Sequence, residues 1–189
     1  MKKTGWKHLA AAAALLSLPT VASADFIATI AGNDCAGVFG QPFGDCAIPF
    51  QYDPNQSPVI IQFGVGDDGF FTSGINTNLF PSIDGSEFSF SGTDPSGTWT
   101  YTPGEDDPGI NFFVAKGGPN FNLFSNLGAV NTDTWSTPIN PNNDRPFGLS
   151  HLTFYDTGTV PPQEIPEPGT LALLGLGLLG FGALRRRNK

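Results

Sequence analysis

The sequence predicts an all-β body, an antiparallel and jelly-roll-like β-sandwich, with a short apolar helix at each end of the chain. Three observations predict it. Short runs in which apolar and polar residues alternate recur between residues 25 and 156, which is the period of a half-buried strand. Turn-forming clusters separate them, such as Thr93-Asp94-Pro95-Ser96-Gly97 and Pro141-Asn142-Asn143-Asp144. Between the two ends no segment of useful length carries the 3.6-residue period of an amphipathic helix. The 17 Phe and three Trp suit the thin, aromatic core of two stacked sheets.

The elements follow in order. Lys2, Lys3 and Lys7 precede an apolar run from Leu9 to Leu18, and Val21-Ala22-Ser23-Ala24 closes the segment with small residues. Ala22 and Ala24 fit the A-x-A pattern of signal peptidase, so residues 1–24 are expected to be a signal peptide cut between Ala24 and Asp25. An apolar run of about ten residues is too short to cross roughly 30 Å of hydrocarbon. Strands are expected at Phe26 to Ala31 and Pro58 to Phe63, around Phe88 and Phe90, and around Trp99 and Tyr101. Three more are expected at Ile110 to Ala115, Asn120 to Phe124 and Leu149 to Tyr155. Residues 25–156 are read as one ectodomain, a length that a single core can serve.

From Asp25 to Ile165 sixteen acidic side chains face only Lys116 and Arg145, a formal charge near −14. Such a surface repels nucleic acid and anionic lipid and favours solubility and divalent cations, so no nucleic-acid partner is expected. Cys35 and Cys46 are the only cysteines. In an exported chain they are expected to form a disulfide that closes a loop of about a dozen residues and contributes roughly 3 kcal/mol. A metal site is the alternative, but two cysteines without a nearby histidine make a poor zinc set.

Chemistry is sparse. His151 is the only histidine beyond residue 24, and alternation places it on one strand face with Leu149, Thr153 and Tyr155. A serine triad needs a base held by an acid within reach of a nucleophile, and no Gly-x-Ser-x-Gly occurs. P-loop, His-Glu-x-x-His and Gly-x-Gly-x-x-Gly patterns are also absent from the sequence. His151 is therefore expected to be a packed or hydrogen-bonded structural residue. With sixteen acids, carboxylate pairs suited to glycoside hydrolysis arise by chance and mark nothing. Gly66-Asp67-Asp68-Gly69 and Gly104-Glu105-Asp106-Asp107-Pro108-Gly109 are read as solvated turns. Calcium coordination is their alternative, although neither matches an EF-hand loop. No catalytic residue, cofactor or metal is expected.

The tail carries the strongest signal. Residues 157–165, with Pro161 and Pro162, read as an exposed linker. Pro166-Glu167-Pro168 keeps the chain extended, because proline fixes φ and removes a backbone donor. Thr170 to Leu184 then holds seven leucines and no charge. At 1.5 Å per residue it reaches only about 23 Å, a marginal membrane span. Arg185, Arg186 and Arg187 follow at once; they can snorkel to the interface and hold the C-terminus in the cytoplasm.

Motif, helix and arginines in this order, residues 166–189, resemble the PEP-CTERM sorting signal of exported bacterial proteins. The resemblance implies that an exosortase in the inner membrane reads the motif, removes the tail and delivers the protein to the cell surface. It also implies that the inner membrane holds the precursor only transiently, as a single-pass protein. The match covers the tail, so it implies route and destination rather than biochemistry. The segments Phe113-Val114-Ala115-Lys116-Gly117-Gly118 and Gly148-Leu149-Ser150-His151-Leu152-Thr153-Phe154-Tyr155 resemble bodies found with this tail, β-sandwiches without an assigned activity. The expected function is a non-enzymatic structural or adhesive protein of a surface, biofilm or exopolysaccharide matrix. A calcium-assisted glycan-binding module is the alternative, with exopolysaccharide as its partner, and a secreted hydrolase is the third reading.

Overall fold

Short apolar and alternating runs bounded by turns fold into twelve strands among the described residues. The computed structural model describes residues 24–92, 94–126 and 131–157. Most of the expected signal segment, with Ala22, lies outside the described residues. So do the linker beyond residue 157, Pro166, Glu167, Pro168, the apolar stretch 170–184 and Arg185, Arg186 and Arg187. Among the described residues no helix is long and apolar enough to cross a membrane.

The strands are β1 (Asp25–Ala31), β2 (Ala47–Ile48), β3 (Ser57–Gly66), β4 (Gly69–Ile75), β5 (Phe88–Ser91) and β6 (Ser96–Tyr101). They continue as β7 (Ile110–Gly117), β8 (Asn120–Ser125), β9 (Thr132–Ser136), β10 (Ile139–Asn140), β11 (Arg145–Pro146) and β12 (Leu149–Asp156). A single 3-10 turn, Phe43–Asp45, is the one helical piece among the described residues. The larger sheet has seven strands in the order β1-β8-β7-β12-β3-β2, with β4 paired to β3. A smaller sheet runs β5-β6-β9, and β10 and β11 form a short ladder of their own. Every strand pairing is antiparallel.

The larger sheet is covered on both faces, and β7 shows why its sequence reads as it does. All eight of its residues are buried. A strand wet on one face alternates apolar and polar, whereas one covered on both reads as a nearly continuous apolar run, as in Ile110-Asn111-Phe112-Phe113-Val114-Ala115. Phe113 and Ala115 face the smaller sheet, in one core with Phe63, Phe88, Trp99, Tyr101, Trp135 and Phe154. Two antiparallel sheets sharing a core fit a β-sandwich. Trp99 stands edge-on to Phe113 and Phe154 with centroids 5.3 Å away in both cases, a geometry that adds to the burial of their area. Phe112 and Val114 point the other way, into a second core with Cys35, Phe39, Cys46 and Ile48. That core lies beneath the chain between β1 and β3.

The expected strands are all present, each extended by a residue or more. Two full strands were not anticipated, β4 and β9. In β4 the segment Gly-Phe-Phe-Thr-Ser-Gly-Ile is framed by glycines, which weaken strand propensity in isolation. Pairing with β3 across a two-residue turn of Asp67 and Asp68 stabilises it, with Gly66 opposite Gly69. In β9 the buried positions are Asp133 and Trp135, so half of its inward face is a carboxylate. Of the turn expected at residues 93–97, Ser96 and Gly97 already belong to β6. Gly97 pairs with Trp135, whose ring would meet a Cβ there at 2.7 Å.

Candidate functional site

His151, Thr153 and Tyr155 of β12 share one face, as alternation requires. Leu149 does not. A register shift between Leu149 and His151 breaks the period, and Leu149 packs against the inter-sheet core instead. The expected common face is corrected by this bulge, which places two successive turns of the pleat out of phase.

The chain leaving β1 turns at Gly32, whose φ is +107°, and folds back over the larger sheet. This brings Asp34 onto the face of β12, where it is 1% exposed. Its carboxylate accepts from His151 Nε2 at 2.9 Å and from the Tyr155 hydroxyl at 3.1 Å. Burial alone would push the Asp34 carboxyl up, but the hydrogen bond and charge of His151 hold it below its ordinary value of 3.8. Tyr155 is pushed well above its ordinary value by burial, and then by the Asp34 charge beside it. Lys116, opposite His151 in register, is buried and donates its ammonium to the Gly118 carbonyl. Burial lowers its pKa, while the Asp34 charge opposes that shift.

The disulfide completes the cluster. Cys35 and Cys46 are bridged, with Cα atoms 5.0 Å apart. The Tyr155 hydroxyl lies 3.7 and 3.5 Å from their sulfurs. The loop closed by this bridge is thus pinned to β12 through Asp34, His151 and Tyr155. His151 has the hydrogen-bonded structural place expected of it, yet its partner lies 117 residues earlier and was not legible. One clue was available: an acid next to a cysteine whose bridge must draw it inward.

Two expected outcomes follow. The Asp34 carboxyl is lowered in the fold, so its stabilisation is present above pH 3.8 and lost as the pH falls through its folded value. Asp34→Asn should flatten the acid limb of the stability curve below about pH 4, read by circular dichroism. An unchanged acid limb would show that the stabilising charge lies elsewhere. His151→Gln should cost about 1–2 kcal/mol, because a buried carboxylate loses its best-placed donor. Urea unfolding would measure it, and an unshifted midpoint would contradict the structural assignment.

Between the disulfide loop and β3 and β12 a cleft of about 680 Å³ opens. Asn33, Asp34, Gln41, Phe43, Gln62 and His151 are among the residues that line it. Gln62 is held on both sides: its amide nitrogen donates to Thr153 Oγ1 at 3.1 Å and its carbonyl accepts from Ser73 Oγ at 3.1 Å. Ser150 Oγ stands 3.5 Å from His151 Nδ1, at the limit of a hydrogen bond.

The remaining sequence-marked positions lie apart. Asp67 and Asp68 form the β3–β4 turn. Glu105, Asp106 and Asp107 line a shallow hollow with Glu87 and Ser82, where Asp107 caps its own loop by accepting the Gly104 N–H at 2.6 Å. Among the described residues no group of three or more His, Cys, Asp or Glu is placed to hold a metal ion. Ala24, the last residue of the expected signal segment, packs against the inter-sheet core and donates its N–H to Asp133.

Residues 164–187 match the PEP-CTERM protein-sorting motif. That motif implies exosortase-dependent sorting of an exported protein to the surface. No curated protein and no solved structure matches the chain.

Proposed function

We propose that this chain, carrying a PEP-CTERM protein-sorting motif behind an antiparallel β body, is a non-enzymatic component of a cell surface or extracellular matrix. The observation that carries the reading is the motif at residues 164–187. In this reading a signal peptide starts export and the apolar stretch 170–184 stops it in the inner membrane. Arg185 to Arg187 stay in the cytoplasm, and an exosortase then removes the tail. The released body, a jelly-roll-like sandwich, serves a structural or adhesive role in a biofilm or exopolysaccharide matrix. Its formal charge near −14 keeps it soluble and away from anionic lipid. In cells lacking the exosortase the protein should stay in the inner-membrane fraction at its precursor mass, and with the enzyme it should appear at the surface. The same mass and location in both strains would overturn the sorting assignment.

The second reading, a glycan-binding module, is favoured by the cleft of amide side chains beside His151. Its calcium-assisted form draws on the acidic turns. A glycan array probed with and without a chelator separates the two: no binding supports a purely structural role, and chelator-sensitive binding supports calcium.

A further inference from the structure

We propose that the cleft under the disulfide-closed loop is a binding site for the neutral pyranose rings of a polysaccharide. The proposal rests on the surface destination given above and names what an adhesive protein would hold there.

The chemistry of the wall is specific. Asn33, Gln41 and Gln62 each present a carboxamide, which offers an acceptor and a donor side by side in one plane. Adjacent hydroxyls of a sugar ring are likewise each donor and acceptor, so amide and diol can pair in both directions. Phe43 adds an aromatic ring that is only half-buried, suited to the apolar C–H face of the same ring. The volume of about 680 Å³ falls within the ordinary small-molecule range of roughly 300–1,000 Å³.

The charge selects against an anionic sugar. Buried Asp34 is one of the residues lining the cleft, and the body around it is formally near −14. His151 and Tyr155 occupy its carboxylate with two hydrogen bonds, so that carboxylate is satisfied and leaves the amides to meet the ligand. A uronate would bring a second negative charge into this field.

The wall is also held before any ligand arrives. Asn33 and Asp34 lead into the Cys35–Cys46 bridge, and Gln41 and Phe43 lie within the loop it closes. Phe43 rests on β4 where Gly74 leaves room, since a Cβ at that position would stand 3.3 Å from the ring. Gln62 is fixed by Thr153 and Ser73. Groups ordered in advance lose little entropy on binding.

The test is calorimetric titration of the mature exported protein with cellotetraose, maltotetraose, mannotetraose and tetragalacturonate, and with glucose and mannose. At least one neutral tetrasaccharide should saturate one site, with the monosaccharides weaker and tetragalacturonate not measurable. Tight binding by a monosaccharide instead would assign the site to free sugar and overturn the polysaccharide form. Phe43→Ala and Gln62→Ala should each weaken binding about tenfold, equal to roughly 1.4 kcal/mol. Phe71→Ala, an exposed ring of β4 outside the cleft wall, should leave affinity unchanged. If either core variant unfolds, Gln41→Ala on the exposed loop provides the same reading. The proposal falls if no neutral sugar titrates the protein, if binding survives the cleft substitutions, or if tetragalacturonate binds as tightly. Mass measurement of the same material reports tail removal independently, so failure of sorting and failure of sugar binding are told apart.

Discussion

Glu167→Ala or Pro168→Ala is expected to leave the precursor in the inner membrane with its tail uncut, while the wild type reaches the surface lighter by most of residues 166–189. The argument is about which part of the tail an enzyme can read. Proline fixes φ and lacks an N–H donor, so the sorting reading expects the Pro166-Glu167-Pro168 peptide to be the part offered to the enzyme. In the same reading the apolar stretch contributes only depth. Its insertion energy depends on composition more than order, so another uncharged helix of equal length over 170–184 should be processed nearly as well. A simple anchor would behave in the opposite way, tolerating any change at residues 166–168. Intact-mass analysis of the surface fraction decides between them. Mature protein that still contains the Arg185 to Lys189 peptide would end the sorting assignment.

Removing the bridge, with Cys35→Ser and Cys46→Ser together, is expected to lower the unfolding free energy by about 3 kcal/mol, the entropy of a loop this size restored to the unfolded chain. The loop spans a sequence separation of 11 residues and carries little regular structure beyond the 3-10 turn. Its tertiary anchors besides the bridge include Asp34 with its two partners on β12 and the aromatic contacts of Phe39 with Tyr52, Phe121 and Tyr155. Much of the cost should therefore appear as loosening of one wall of the cleft. A fall in the urea midpoint, with amide exchange rising across residues 32–48, is the expected pattern. A variant with the wild-type midpoint would mean that Asp34 and Phe39 hold the loop unaided. In protein taken from the surface both thiols should be oxidised, and mass spectrometry finding them free would remove the bridge from the mature molecule.

What was legible and what was not divide along the range of the interactions. The extended character of Ile110 to Ala115 and Leu149 to Tyr155 comes from short runs of apolar, β-branched and aromatic residues bounded by turns, so sequence alone determined it. The same holds for the turns rich in Gly, Pro, Asn and Asp, for the acidic surface and for the tripartite tail, whose meaning lies in a continuous stretch. Strand order is another matter. Nothing local tells β12 to lie between β7 and β3, or β1 to reach β8, because those ladders join residues far apart in the chain. β4 and β9 exist as strands through the partners they find, β4 despite its glycines and β9 despite the inward Asp133. Apart from the Cys35–Cys46 bridge, which the sequence led one to expect, the candidate site belongs to this second class. Asp34 is one acid among seventeen in the sequence. It becomes a buried partner of His151 and Tyr155 only when Gly32 turns the chain back and the bridge draws its neighbour under the loop. Burial and pairing are properties of position in the fold, and the tertiary structure alone decided them.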